Sequence, residues 1–215
     1  MNKVFFQIGT NNGNDRFRDL CIKHKPTMIV LVEPNIIHMK DIENNYKDIP
    51  NIHIFNNAIY YEDNKDIELY LPAIDGVYGN KAENGHTYSN GEFSLIPMND
   101  WGEKKNMIKM TTKTITFDTI CKKLNITDIA YLQIDTEGFD SEIIQMLDLN
   151  KYNIKYIRYE KWAFPECQFE KYHNENKEKL GINGMRIVEE KLKKNGYTLK
   201  DISDRSGDDI LAQKM

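Results

Sequence analysis

The stretch that decides the fold is "VFFQIGTNNGNDRF", residues 4–17, where a short apolar run turns abruptly polar around two glycines. Val4 to Ile8 reads as a buried strand, and Gly9 and Gly13 bracket a turn. A helix is predicted from there to Lys25, because Pro26 stops it. A strand, a glycine turn and a helix in this order are typical of a site for a nucleotide-like cofactor, although the same order also serves as a plain connection.

The next segments repeat this alternation. A fully apolar strand over residues 28–32 ends at Glu33, a helix is predicted over residues 35–47, and a third strand over residues 52–55. Short strands separated by helices of this length predict βαβ units and a parallel sheet. The fold class is therefore α/β: a mostly parallel central sheet with helices on both faces.

Regular structure is also predicted in the rest of the chain. Residues 57–72 read as two short strands around a turn at Asp63 and Asn64. Further along, the pattern predicts a strand leading into a short helix over 113–126, strands over 128–135 and 154–160, a helix over 139–147, a helix through residues 187–192, and a C-terminal antiparallel hairpin over 196–214.

Two polar stretches, residues 73–107 and 161–184, show little periodicity and are too long for ordinary connections. We expect them to be substrate-side insertions in a single domain that spans residues 1–215. Their aromatic rings are of the kind that stack on sugars, although the same rings also suit simple packing of the loops. These rings are Tyr78, Tyr88, Trp101, Trp162, Phe164 and Tyr172.

The composition excludes several classes of partner. The 29 basic and 33 acidic residues nearly cancel, which argues against nucleic acid, and no apolar run is long enough to span a membrane. The cysteines Cys21, Cys121 and Cys167 form neither a disulfide framework nor a zinc spacing. Together with the lack of a signal peptide, they predict a cytoplasmic protein.

Carboxylates follow three of the apolar strands, at Glu33, Asp135 and Glu160. In an open α/β sheet, ligands bind beyond these carboxyl ends, near the point where the strand order reverses. Each acid also has a structural alternative, because Glu33 suits a cap for the helix near residue 35, and Asp135 with Glu137 suits a cap for the helix at residue 139. Glu33 follows Gly13 by twenty residues, the interval at which an acid meets ribose hydroxyls.

The spacing of the glycine turn argues against a dinucleotide. A pyrophosphate site needs a third glycine, whereas Thr10, Asn11 and Asn12 stand between Gly9 and Gly13. The turn suits a cofactor with a ribose and a zwitterionic tail, such as S-adenosylmethionine. A nucleotide-dependent Rossmann enzyme that modifies sugars is kept as an alternative.

Four ordered blocks resemble the FkbM-type S-adenosylmethionine-dependent methyltransferases. They are "QIGTNNG" at 7–13, "VEPN" at 32–35, "NAIYYEDNKDIELYLP" at 57–72 and "TFDTICKKLNITDIAYLQIDTEGFDSEII" at 116–144. The resemblance implies a Rossmann-like class I methyltransferase that O-methylates a hydroxyl of a sugar, glycan or small molecule. Two positions depart from the family pattern, since Gln7 replaces its first-motif Asp and Gln133 its Lys. A degenerate binding module is the non-enzymatic alternative.

The resemblance also implies the site residues. The cofactor-binding set is Gln7, Gly9, Thr10, Asn11, Gly13, Glu33, Asn57, Ala58 and Asp135. Asp135 or Glu160 is expected to be the catalytic base, with His86 as a third candidate that also suits a solvated loop position. Asp135, Glu137, Asp140 and Glu160 permit a hard-metal cluster. The resemblance requires no metal, and none is predicted.

Overall fold

The structure is a computed structural model that describes residues 3–71, 93–95, 107–161, 181–203 and 209–215. Its strands are β1 Val4–Ile8, β2 Met28–Val32, β3 Ile52–Phe55, β4 Ala58–Ile59, β5 Asp66–Leu71, β6 Ile108–Ile115, β7 Asp128–Ile129, β8 Tyr131–Ile134, β9 Asn153–Ile154, β10 Tyr156–Glu160, β11 Tyr197–Asp201 and β12 Asp209–Lys214. Its α-helices are α1 Arg16–His24, α2 Met39–Tyr46, α3 Phe117–Lys123, α4 Asp140–Met146 and α5 Gly181–Lys194, and a 3-10 turn, Ile36–His38, precedes α2.

A seven-stranded sheet carries the fold, in the order β11-β12-β10-β8-β1-β2-β3. The pairs β1–β2, β1–β8, β2–β3 and β8–β10 are parallel, whereas β12 is antiparallel to β10 and β11. This confirms the predicted parallel sheet and C-terminal hairpin. The chain runs outward from β1 to β3 on one side and continues from β8 on the other. The strand order therefore reverses between β1 and β8, where ligands bind in such sheets.

Both faces of this sheet are covered, because neighbouring side chains of a strand point to opposite faces. Phe6 of β1 lies in the core that includes residues of α3, α4 and α5. Phe5 packs on the other face against Phe17 and Cys21 of α1 and Tyr46 of α2. Helices on both faces were predicted, and this is confirmed. In the part of the chain that the structure describes, no helix is long and apolar enough to cross a membrane.

A second sheet, in the order β4-β6-β5, differs from the simplest expectation for residues 57–72. The turn is present, and Asn64 has a φ of 61°, which asparagine tolerates better than most residues. The two strands do not lie side by side, however. β4 pairs with one edge of β6 in parallel and β5 with the other edge in antiparallel fashion. β6 follows more than thirty residues after β5, so no local pattern indicates this pairing.

The expected insertions are only partly described. Residues 93–95 of the first lie beside β5, where Ser94 bridges Tyr70. The last four residues of the second, 181–184, belong to α5 rather than to an irregular insertion. The six aromatic rings of these stretches, together with His86 and Cys167, lie outside the described residues.

The ends of β1 and β8 approach each other so closely at Gly9 that no side chain fits there. Gly9 has a φ of +81°, and a Cβ at this position would lie 1.6 Å from the carbonyl oxygen of Asp135. The Asp135 N–H donates to the carbonyl oxygen of Ile8 at 2.9 Å. The first glycine of the turn is therefore required by packing across the point where the strand order reverses.

Replacing Gly9 with Ala should destabilise the fold by at least about 3 kcal/mol, because backbone atoms must move. Gly196→Ala is the matched control: Gly196 has the same φ of +81°, but a Cβ there meets nothing within 4 Å. Its cost should be only the left-handed strain of about 1 kcal/mol. Urea unfolding of both variants checks the difference, and equal losses would contradict the packing argument.

Candidate cofactor-binding site

The turn between β1 and α1 is held by hydrogen bonds within the protein. The N–H groups of Gly9 and Thr10 donate to the carbonyl oxygen of Val32, at 2.9 and 3.3 Å. The N–H groups of residues 11, 12, 13 and 14 also have acceptors, of which three are side-chain oxygens and one is the Thr10 carbonyl oxygen. A phosphate-binding turn needs free N–H groups. The turn therefore has no free N–H groups with which to bind a pyrophosphate. This agrees with the glycine spacing, which argued against a dinucleotide.

Glu33 links this turn to the end of β2. One carboxylate oxygen accepts from the Asn11 N–H at 2.7 Å, and the other accepts from the Asn35 N–H at 2.8 Å. The side chain is only 4% exposed, and this burial raises its pKa to about 7, although the backbone donors oppose the shift. The cap of the turn before α2 is the Asn35 side chain, which accepts from the Ile37 N–H, and not Glu33 as considered from the sequence. Glu33 bonds the backbone of Asn35 and also lines the pocket described below.

Asp135 and Asp140 follow β8 and have different environments. Asp140 is buried and accepts from the Thr136 N–H at 2.9 Å, the Thr136 hydroxyl at 2.5 Å and the Glu160 N–H at 3.0 Å. The Asp135 carboxylate is exposed and makes no hydrogen bond within the described part of the chain. The dense protein around this strand end and the charge of Asp140 both raise the pKa of Asp135. Asp140 is structural, whereas Asp135 is free to meet a ligand.

Gln7 of β1 contacts Asp15, the N-cap of α1. It is fully buried, and its Nε2 donates to a carboxylate oxygen of Asp15 at 2.5 Å. The other oxygen of Asp15 accepts from the Arg18 N–H at 3.0 Å and so caps α1. Gln7 was predicted to bind the cofactor; its side chain bonds the residue that caps α1, and Gln7 is not among the residues that line the pocket described below.

One pocket at the carboxyl ends of β1, β2, β3 and β8 is lined by six of the eleven predicted site residues. It contains about 720 Å³ of empty space, part of it open to solvent. Of the predicted residues, Gly9, Asn11, Glu33, Asn57, Ala58 and Asp135 line it. Gln7, Thr10, Gly13 and Glu160 do not line it, and His86 lies outside the described residues.

Sequence reasoning did not identify the apolar part of the pocket. Ile67 and Leu69 of β5, with Phe93 and Leu95, line it together with Phe139. The alternation of apolar and polar residues in β5 was visible, but the face that it presents depends on the pairing with β6. Phe93 and Leu95 are held in place by Ser94 between them, because the Ser94 hydroxyl donates to the Glu137 carbonyl oxygen at 2.5 Å.

The metal alternative finds no support in the side chains concerned. Among the residues that the structure describes, no three His, Cys, Asp or Glu side chains are grouped so that they could hold a metal ion. Asp140 is directed to Thr136 and the Glu160 N–H instead.

Comparisons with solved structures found sixteen matching chains, and the three described here are all of low identity. The O-methyltransferase from Bacillus cereus in complex with SAH is 9% identical, with a TM-score of 0.48, over 99% of this chain and 74% of that one. The precorrin-6y C5,15-methyltransferase from Geobacter metallireducens GS-15 is 11% identical, with a TM-score of 0.44, over 100% and 80%. The Methanococcus jannaschii fibrillarin pre-rRNA processing protein is 10% identical, with a TM-score of 0.43, over 99% and 66%.

The parallel sheet, its antiparallel hairpin and the pocket at the reversal of strand order define a class I S-adenosylmethionine-dependent methyltransferase fold. The family model of the methyltransferase FkbM domain matches residues 7–199. The chain therefore belongs to the FkbM methyltransferase family, whose cofactor is S-adenosylmethionine. No curated protein matches the chain.

The buried Glu33 predicts a dependence of stability on pH. Its pKa rises from 4.5 to about 7 on folding, so the folded protein holds this proton more tightly than the unfolded chain. Protonation of Glu33 therefore stabilises the folded state. This contribution is fully present below pH 4.5, the pKa in the unfolded chain, and is lost as the pH rises to about 7. We expect the free energy of unfolding of the wild type to fall relative to that of Glu33→Gln by roughly 2 kcal/mol between pH 5 and 7.

Chemical denaturation at several pH values measures this difference. Glu43→Gln, at an exposed position of α2, is the control for removing a surface carboxylate. A difference between wild type and Glu33→Gln that does not change with pH would contradict the prediction.

Proposed function

We propose that this protein transfers a methyl group from S-adenosylmethionine to a hydroxyl of a sugar, glycan or small molecule. The observation that carries the proposal is that the acidic residues Glu33 and Asp135 line one pocket on either side of the glycine turn, together with Glu137. No Lys, Arg or His is among the described residues that line this pocket. Such a site suits a ligand that carries positive charge and donates hydrogen bonds.

The residues present fit the cofactor. Its ribose hydroxyls and amino group are hydrogen-bond donors, and Glu33 and Asp135 are acceptors. Glu33 retains acceptor capacity beside its two backbone donors, because each carboxylate oxygen has two lone pairs. We assign Glu33 to the ribose, Asn57 and Ala58 to the adenine, and Gly9 and Asn11 to the middle of the cofactor. Bound S-adenosylmethionine supplies an electrophilic methyl group on its sulfonium.

The protein has two tasks in this reaction. It must hold the acceptor hydroxyl in line with the methyl group, since alignment supplies most of the rate enhancement in a displacement of this kind. It must also accept the hydroxyl proton as attack proceeds. Asp135 is the preferred base because its free carboxylate opens into the pocket and its pKa is raised. A raised pKa makes a carboxylate a better proton acceptor near neutral pH.

The alternatives have less support. A nucleotide-dependent enzyme would need free N–H groups in the turn, and those of residues 9–14 are already bonded. The degenerate module was suggested by Gln7, but this side chain bonds Asp15 and does not line the pocket. Its amide is therefore no reason to expect a lost cofactor. We also propose a cytoplasmic location, since Cys21 and Cys121 are free and buried, as in a reducing compartment.

Cofactor binding is the first test. Calorimetry should show that S-adenosylmethionine and its product S-adenosylhomocysteine both bind to the wild type. Glu33→Gln should weaken binding by about tenfold or more, the usual loss for a hydrogen bond to a charged group. Glu43→Gln, on the surface of α2, should bind as the wild type does. Absence of binding to the wild type would end the proposal.

The base is tested by turnover. Transfer of a radiolabelled methyl group to a panel of simple glycosides and alcohols should fall by about a hundredfold or more in Asp135→Asn, while the product still binds. Full turnover in Asp135→Asn would refute the base assignment, and loss of cofactor binding would make Asp135 a cofactor ligand. Glu160→Gln tests the competing candidate for the base. A loss of turnover in Glu160→Gln but not in Asp135→Asn would assign the base to Glu160.

A further inference from the structure

The pocket has two chemically different walls. One is the carboxyl end of the seven-stranded sheet, where Glu33 and Asp135 lie. The other, here called the apolar wall, consists of Ile67, Leu69, Phe93 and Leu95. Phe93 and Leu95 belong to the stretch 73–107 that was expected to lie on the substrate side, whereas Ile67 and Leu69 were given no role. The cofactor residues proposed above do not include any of the four.

The four side chains of the apolar wall are positioned by regular backbone structure. Ile67 and Leu69 are two residues apart on β5, so they share one face of the strand. Phe93 and Leu95 flank Ser94, whose N–H donates to the Tyr70 carbonyl oxygen at 2.9 Å and whose carbonyl oxygen accepts from the Tyr70 N–H at 2.7 Å. Residues 93–95 thus extend the second sheet at the edge of β5 and add a second apolar pair.

The wall lies toward the Asp135 end of the pocket. The Ser94 hydroxyl donates to the carbonyl oxygen of Glu137, in the turn that follows Asp135. The proposed adenine end is distant, because Ala58 pairs with Thr114 and Leu69 with Met110 on opposite edges of β6. Leu69 and Ala58 are separated by two strand spacings across the sheet and by four residues along the strand direction. Together these offsets correspond to roughly 16 Å.

We propose that the apolar wall is the acceptor subsite and that it binds an alkyl or aryl group carried by the acceptor next to the hydroxyl that is methylated. This inference rests on the proposed function and specifies its substrate class. A bare, fully hydroxylated sugar would leave these side chains facing polar groups, whereas an acceptor with an apolar group buries them. Each buried methylene strengthens binding severalfold when it leaves water completely. The wall therefore selects for glycosides and alcohols with an apolar substituent.

Two matched probes test the proposal: methyl β-D-glucopyranoside and hexyl β-D-glucopyranoside, the latter kept below its micelle concentration. Calorimetry on protein saturated with S-adenosylhomocysteine should show that the hexyl compound binds at least about tenfold more tightly. Ile67→Asn and Leu95→Asn, at two half-buried positions, should each reduce this preference to about threefold or less. Both variants should keep the wild-type affinity for S-adenosylhomocysteine.

The control is Ile22→Asn, the same change at a 48% exposed position of α1, which should keep the full preference. Equal binding of the two glucosides, or no binding of the hexyl compound, would overturn the acceptor subsite. Loss of S-adenosylhomocysteine affinity in Ile67→Asn and Leu95→Asn would assign the wall to the cofactor and equally overturn it. In these cases the methyltransferase proposal survives, because it fails only if the wild type binds neither S-adenosylmethionine nor S-adenosylhomocysteine.

Discussion

The close approach of Gly9 to the Asp135 carbonyl oxygen is the constraint on which the site depends. It draws the ends of β1 and β8 together at the reversal of strand order. Without a side chain at Gly9, the turn can lie directly over β8 and leave the Asp135 carboxylate at the pocket surface. The same turn is bonded on its other side to Val32 and Glu33. One turn thus fixes the relative positions of three strand ends, and the pocket results from their arrangement.

The hydrogen bonds of this turn also explain why its chemistry differs from that of a phosphate site. Glycine turns that bind phosphates direct free N–H groups outward. Here the N–H groups from Gly9 to Asn14 are consumed inside the protein, and carboxylates face the pocket in their place. The local field is therefore negative rather than positive. Similar sequence patterns can serve opposite kinds of ligand, depending on which groups the turn bonds internally.

The sequence predicted where the strands begin and end better than it predicted which strands pair with each other. β1, β2 and β3 have the predicted bounds because glycine, proline and polar residues delimit short apolar runs. The placement of β4 and β5 on either edge of β6 was not predictable, because that pairing joins distant parts of the chain. Consequently Glu33 and Asp135, which follow strands directly, could be placed at the pocket from the sequence alone. The apolar residues of β5 were not, since their exposure to the pocket depends on the distant pairing. The side-chain direction of Gln7 likewise requires knowledge of Asp15 and α1.

The bond between Gln7 and Asp15 has an evolutionary consequence. The neutral amide lets the half-buried carboxylate of Asp15 cap α1 without a second acidic side chain at position 7. An acid at position 7 would face the Asp15 carboxylate at hydrogen-bonding distance, and one of the two would have to hold a proton. Relatives with an acid at position 7 should therefore carry a neutral residue at position 15. The two positions are expected to vary together, and the bond to Asp15 gives the amide of Gln7 a structural role of its own.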